Sequence, residues 1–364
     1  MTRLSSNQAS GTAAKALIPR GEVIVGDALS ELRKLPDSSV DMLLTSPPYF
    51  RLRDYDAPGQ LGLEAHVDAW VSQLREVAVE VRRVLVPTGT FWLNVADTYS
   101  THVAQGANRK SLLLGPERLA LALVEDGWRL RNKIVWQKAN PMPHSVRDRL
   151  TATWEALYIF AASDRYFFDL DALRLPHRTP PSKTRPTGSA QEVRAKREQW
   201  RGPNTDDASG LARLHAQGRV GHPLGKNPGD VWTIPASNYR GSHHATFPVA
   251  LAELAIRAGC PEARCSGCRR PYVRNVVREE HDGHLTARRG ALHPTCDCAP
   301  ASEPGLVLDP FMGAGTTALG AIENGRDWAG IELSKHFAEE ARARIAAYVP
   351  VRDRQRTHSA RAGP

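Results

Sequence analysis

The 364-residue chain has no apolar run as long as the roughly 18 residues that a membrane-spanning helix needs, so no such span is expected. Its first residues, Met1-Thr-Arg-Leu-Ser-Ser-Asn, lack the apolar core of a secretory signal, and a cytoplasmic protein is expected. No internal repeats are seen. Cysteine is scarce, with five residues, and their short paired spacings suit metal ligands in a reducing compartment better than disulfides. Acids are outnumbered, 39 against 48 Lys and Arg, giving a formal charge of +9. That excess points to a polyanionic partner without specifying one. Hydrophobic residues make up 41%, enough for a sizeable core. The length suits one large α/β domain with insertions, or one domain plus a small one.

The most informative segment is Ser46-Pro47-Pro48-Tyr49. It closes the apolar run Val40-Asp41-Met42-Leu43-Leu44-Thr45, which reads as a buried strand. Ligand crevices form at such strand ends in open α/β sheets. Two prolines stiffen the turn and remove backbone donors, leaving carbonyl oxygens to accept. A stiff acceptor beside an aromatic ring suits a planar base with an exocyclic amine. The plain structural alternative is an ordinary proline-terminated strand.

A second segment, Val307-Leu308-Asp309-Pro310-Phe311-Met312-Gly313-Ala314-Gly315-Thr316-Thr317, reads as strand, Gly-rich turn and helix start. Glycines there let a ligand approach the backbone. Trp328-Ala329-Gly330-Ile331-Glu332 follows about one helix later, a strand ending in a carboxylate suited to ribose hydroxyls. Together these describe a nucleoside-binding half-sheet. A tight turn with a surface Glu is the alternative.

These two segments resemble the amino-group DNA methyltransferases that use S-adenosylmethionine. The catalytic motif precedes the cofactor motif, as in the β group of that family. The likeness extends to Val25-Gly26-Asp27, Gly59 to Glu64, Ile134 to Lys138, Asn140 to Pro143, Asn227 to Trp232 and His244 to Pro248. It implies a Rossmann-like α/β methyltransferase sheet with permuted motif order. Ser46, Pro47, Pro48 and Tyr49 would be catalytic. Asp309, Phe311, Gly313, Gly315, Thr316 and Glu332 would bind cofactor, with Asp27 and Phe247 carried over from the family pattern. Asp309 would face the cofactor's amino group. Ser at the first motif position goes with cytosine N4 as target in this family, and Asp or Asn with adenine N6. Double-stranded DNA is the implied partner. A homodimer, and a cognate restriction endonuclease, stay open.

Four cysteines form Cys265-Ser-Gly-Cys268 and Cys296-Asp-Cys298. Two such pairs can give four thiolates to one zinc ion. The second pair is tighter than the usual Cys-x-x-Cys, and His284 and His293 are alternative ligands. Arg269 to Thr295 is polar and basic, too poor in apolar residues to fold unaided, so a small zinc-knuckle insert is expected.

Along the chain we expect a tail over 1–20, a catalytic half over 21–173, and a basic target-recognition segment over 174–226. The methyltransferase domain then returns over 227–262, followed by the knuckle over 263–303, the cofactor half over 304–348, and a tail over 349–364. The basic segment holds 11 Lys and Arg against 4 acids, an excess of +7, and few apolar residues. It suits phosphate contacts and base reading; a solvated linker is the alternative. Asp27 is the expected N-cap of a helix. Arg51 to Glu64 reads as a loop over the site, Pro87-Thr88-Gly89 as a turn before a strand at Thr90, and Tyr99 to Lys110 as a mobile loop.

Two other function classes fit parts of this pattern. A dinucleotide-dependent enzyme would use the same strand–turn–helix and acid. However, Gly313-Ala-Gly315 lacks the third glycine of that fingerprint, and Ser46 to Tyr49 would have no role. A non-catalytic DNA-binding protein explains the charge but not the paired motifs.

Overall fold

The computed structural model describes residues 18–143, 145–177, 222–237, 239, 241, 246–281, 284–298 and 301–350. Most of the basic segment, residues 1–17 and 351–364 of the two tails, and His244 and Ala245 of the last resemblance motif lie outside them.

Twelve strands are described. They are β1 (Glu22–Val25), β2 (Val40–Thr45), β3 (Leu85–Val95), β4 (Arg129–Lys138), β5 (Trp154–Ala161) and β6 (Val231–Ile234), then β7 (Arg264–Cys265), β8 (Tyr272–His281), β9 (His284–Pro294), β10 (Ser302–Glu303), β11 (Leu306–Asp309) and β12 (Asp327–Glu332). The helices are α1 (Ala28–Lys34), α2 (Val67–Val84), α3 (Gly115–Glu125), α4 (Val249–Gly259), α5 (Thr316–Glu323) and α6 (Lys335–Ala346). Eight strands form one sheet in the order β1-β12-β11-β2-β3-β5-β4-β6. All neighbours pair in parallel except on either side of β5, which alone runs against the rest.

The two motif strands lie side by side, as a single site shared by both motifs requires. Val307 pairs with Met42 and Leu308 with Leu43. Every residue of β2 is buried, as is every residue of β11. Helices cover both faces, which is why these strands read as unbroken apolar runs. On one face α2 offers Val67, Trp70, Val71, Leu74, Val77, Val81 and Val84, a helical stripe, to a core shared with Leu32 of α1 and Leu119 of α3. On the other face Leu251 and Ala255 of α4, Ala318 of α5, and Ala338 and Ala341 of α6 pack beneath Met42, Leu44 and Val307. No helix among the described residues is long and apolar enough to cross a membrane.

Some local expectations hold. The Asp27 side chain caps α1, accepting from the Ser30 amide at 2.9 Å. Others need correction. β3 starts at Leu85 and runs straight through Pro87-Thr88-Gly89. Register is lost only between Val40 and Met42, so the strand absorbs the proline as an irregularity. The loop from Tyr99 to Lys110 is tied down rather than loose. Ser100 Oγ contacts the carbonyls of His102 and Ala107, each at 2.9 Å, and Gln105 closes a short 3-10 turn. Arg269 to Thr295, read as too poor in apolar residues to fold unaided, carries regular structure. It is a long antiparallel hairpin, β8–β9, with Tyr272 opposite Pro294. Val273, Val276 and Val277 with Thr286 and Leu292 supply β-prone positions that a count of apolar residues undervalues.

The hairpin is fastened under the sheet by one buried arginine. Arg264, only 2% exposed, binds Asp41 Oδ2 at 2.7 Å, Glu303 Oε1 at 2.8 Å and the Ser39 carbonyl at 2.9 Å. The Leu306 amide donates to the same Asp41 oxygen at 2.8 Å. Burial pushes the Asp41 carboxyl up to about 6, against the pull of Arg264. Removing one partner of such a pair leaves an uncompensated buried charge. Arg264→Met is therefore expected to cost about 3–5 kcal/mol in urea denaturation. A loss under about 1 kcal/mol would show that the pair does not anchor the hairpin.

Candidate active site

The C-terminal ends of β2, β11 and β12 open on one cavity of about 500 Å³. Ser46, Pro47, Pro48 and Tyr49 line one side. Asp27, Phe311, Gly313, Thr316 and Glu332 line the other, and Phe247 reaches it from the second core. The Arg51–Glu64 loop covers it with Leu52, Arg53, Tyr55 and Gln60, as expected of that segment. The volume lies within the usual range for small-molecule sites.

Two expected cofactor residues do not line the cavity. Asp309 is 1% exposed and faces inward. Its Oδ1 accepts from Thr45 Oγ1 at 2.5 Å and from the Phe311 amide at 3.0 Å, and its Oδ2 from Thr317 Oγ1 at 2.6 Å. It ties the two motifs together instead of presenting a carboxylate to a ligand. Gly315 holds φ +79° as the N-cap of α5, and a side chain there would press on Ile345. Its role in the fold is the turn itself.

Gly313, at φ +50°, turns its amide onto Glu332 Oε2 at 2.8 Å. The Ser334 amide meets Oε1 at 2.9 Å. Glu332 is thus oriented by the backbone while still bordering the cavity. Burial raises its carboxyl above the usual range, and these amides oppose that rise.

On the motif side the Trp70 indole donates to the Pro48 carbonyl at 2.9 Å. Among the described residues no donor meets the Pro47 carbonyl, which leaves it able to accept. Ser46 Oγ lies 3.0 Å from Tyr49 Oη. Tyr49 Oη in turn lies 2.7 Å from Glu155 Oε2 and 3.2 Å from Asn94 Oδ1. Lys138 Nζ pairs with the other Glu155 oxygen at 2.6 Å. Burial, then the Glu155 charge, pushes the Tyr49 phenol well above its ordinary value, so it stays protonated. The sequence motifs did not single out Asn94 or Glu155. The available signal was a lone carboxylate at the head of the apolar run Ala156-Leu-Tyr-Ile-Phe-Ala161.

Beneath the sheet, one ligand atom from each of Cys265, Cys268, Cys296 and Cys298 lies within 4.8 Å of the others. The hairpin makes this possible by bringing the two pairs to its open end. Thiolates around one tetrahedral zinc sit about 3.8 Å apart, given Zn–S bonds near 2.3 Å, so the cluster could hold a metal. Cys260 is buried elsewhere, against the Pro261 carbonyl.

The sequence model of the N6/N4 methyltransferase family, described as DNA methylase, matches residues 40–343. The chain belongs to this family. It is a DNA methyltransferase. It is 31% identical to the type II methyltransferase M.SfiI of Streptomyces fimbriatus, across 88% of this chain and 89% of that one. It is 30% identical to M.SmaI of Serratia marcescens, across 89% and 90%. Among solved structures, the PvuII DNA methyltransferase (cytosine-N4-specific) matches with TM-score 0.54 at 17% identity, covering 94% of this chain and 92% of that one. A Thermus thermophilus protein, complexed with S-adenosyl-L-methionine, matches with TM-score 0.50 at 23% identity, covering 91% and 96%. At these identities the structural likeness establishes the methyltransferase fold.

The buried clamp gives this methyltransferase a pH signature. Burial raises the Asp309 carboxyl from 3.8 to about 6, against the hydroxyls of Thr317 and Thr45. The folded state then binds this proton more tightly than the unfolded chain does. Its contribution to stability is full below the unfolded value and is lost as pH rises through about 6. Asp309→Asn removes that loss. Its stability relative to the parent should rise between pH 5 and pH 8, by about 1.5 kcal/mol, in denaturation curves. A difference that stays constant with pH would contradict the buried-charge account.

Proposed function

We propose that this DNA methyltransferase transfers the methyl group of S-adenosylmethionine to N4 of cytosine in duplex DNA. The observation that carries this is the single cavity bordered by both Ser46 and the Gly313–Glu332 pair. Bound there, S-adenosylmethionine supplies an activated sulfonium methyl. Glu332 would hold its ribose hydroxyls, Gly313 lets it approach the backbone, and Asp27 and Phe311 complete the walls.

The target amine is a poor nucleophile because its lone pair is delocalised into the ring. Hydrogen bonds from the amine to Ser46 Oγ and the Pro47 carbonyl favour a tetrahedral nitrogen and free that pair. Positioning and electrostatics carry the rate, and no covalent enzyme intermediate is needed. The base must leave the duplex, at a cost of a few kcal/mol, part of which Tyr49 recovers by stacking. Phosphate contacts fall to the basic segment 174–226, whose ends are pinned by a Leu175–Lys226 bridge.

Cytosine is favoured because Ser46, a neutral acceptor, stands where other members carry Asp or Asn. The PvuII neighbour, named as cytosine-N4-specific, agrees with that choice. Adenine N6 is the second reading, since the two amines are sterically similar. The relatives' type II naming supports a place beside a cognate endonuclease. Such work on cellular DNA fits a cytoplasmic protein.

Nucleoside digestion and mass spectrometry of DNA from expressing cells should find N4-methylcytosine; N6-methyladenine as the sole product would overturn the base assignment. Ser46→Ala should lower turnover about 100-fold. Calorimetry should find its cofactor affinity unchanged, and a matching loss of that affinity would remove Ser46 from the amine.

The second part of the proposal is a structural zinc ion on Cys265, Cys268, Cys296 and Cys298. Four protein ligands leave no open position, so the metal takes no part in methyl transfer. Metal analysis of purified protein should give one zinc per chain, and chelation should lower its melting temperature. Far less than one zinc in folded protein would end this assignment.

A further inference from the structure

Methylating an amine leaves one proton too many on nitrogen. The new C–N bond forms as the S–CH3 bond breaks, and the bonding pair stays on sulfur. A cationic, methylated amine remains, and it must lose a proton to become product.

The hydrogen bonds around Ser46 have only one consistent direction. An ionised carboxylate accepts and cannot donate. Glu155 Oε2, 2.7 Å away, therefore takes the Tyr49 hydroxyl proton. Asn94 Oδ1, at 3.2 Å, is also only an acceptor, because Asn94 Nδ2 is committed to the Ala156 carbonyl at 3.1 Å. With its proton spent, Tyr49 Oη can only accept from Ser46, at 3.0 Å. The remaining lone pairs of Ser46 Oγ are then left for a donor in the cavity that Ser46 lines.

From this geometry we infer that the proton shed by the amine leaves through Ser46 and Tyr49 to Glu155. The inference rests on the amine-methylation reading and holds for cytosine N4 and adenine N6 alike. Three transfers complete it. The amine proton goes to Ser46 Oγ, the Ser46 proton to Tyr49 Oη, and the Tyr49 proton to Glu155 Oε2. Glu155 ends as the neutral acid, and both hydroxyls are restored. Charge balances: the sulfonium loses its positive charge as the carboxylate loses its negative one. Lys138, 2.6 Å from the second oxygen, fixes the carboxylate. The relay is short and shielded, since the Glu155 side chain is only 12% exposed. Glu155 also borders the cavity, but its hydrogen bond in the relay is to the Tyr49 hydroxyl. It acts through its neighbours as the relay's terminal acceptor.

Glu155→Gln separates this role from simple placement of Tyr49. Gln keeps an acceptor oxygen for the Tyr49 hydroxyl but cannot take up its proton. In single-turnover assays of the full chain with labelled S-adenosylmethionine and duplex DNA, Glu155→Gln should react about 100-fold slower near pH 7. Its rate should climb with pH as hydroxide takes over, while the parent stays flat. Tyr49→Phe should show the same pH dependence, and Glu155→Asp should recover part of the rate. Cofactor and DNA affinities of Glu155→Gln should match the parent. A Gln variant as fast as the parent across the pH range would overturn the relay. So would a slow variant whose pH profile is flat or whose cofactor binding falls in step with its rate. Failure of the parent itself to methylate an exocyclic amine would instead strike the reading of the site.

Discussion

The site depends on one buried carboxylate. Asp309 receives hydroxyls from Thr45, at the end of β2, and from Thr317, on α5. The motif that offers Ser46 and the turn that offers Gly313 are thereby locked side by side, although some 260 residues of chain separate them. Backbone pairing of β2 with β11 sets their register, but the clamp fixes where the strand ends stop. The desolvation of Asp309 is tolerated because three donors surround it. Gly313 then hands the constraint on to Glu332, so that side of the cavity inherits its geometry from the same junction.

A second constraint works from below. Arg264, next to Cys265, reaches Asp41 inside β2 and the Ser39 carbonyl at its approach. Asp41 also accepts from Leu306 at the start of β11. The hairpin with its four convergent cysteines is therefore joined to the feet of the two strands whose tips form the cavity. It braces the sheet at the end opposite the cavity.

Much of this was legible in the residues. Val40 to Thr45 and Leu306 to Leu308 are apolar because helices cover both faces of a parallel sheet, and their pairing followed from the need for one shared site. Asp27 was readable as a cap because Asp at a helix start has a local hydrogen-bonding reason to be there. The clamp at Asp309 was not legible because a carboxylate beside a Gly-rich turn looks the same whether it faces a ligand or a pair of threonines; only tertiary packing decides. The hairpin was missed because apolar content, not alternation and β-branching, was counted across Arg269 to Thr295. Glu155 and Asn94 escaped because they reach the site from neighbouring strands, where each looks like a single polar residue in an apolar run. Sheet order places β3 beside β2 and β5 beside β3, and no local pattern records that.

The central claim is that both motifs serve one reaction in one cavity. A crystal structure of the full chain with a non-reactive S-adenosylmethionine analogue and duplex DNA tests it most directly. The account predicts the analogue's ribose on Glu332 and a flipped base whose exocyclic amine donates to Ser46 Oγ and the Pro47 carbonyl. An analogue bound away from Gly313 and Glu332, or a base that contacts the protein without approaching Ser46, would contradict it.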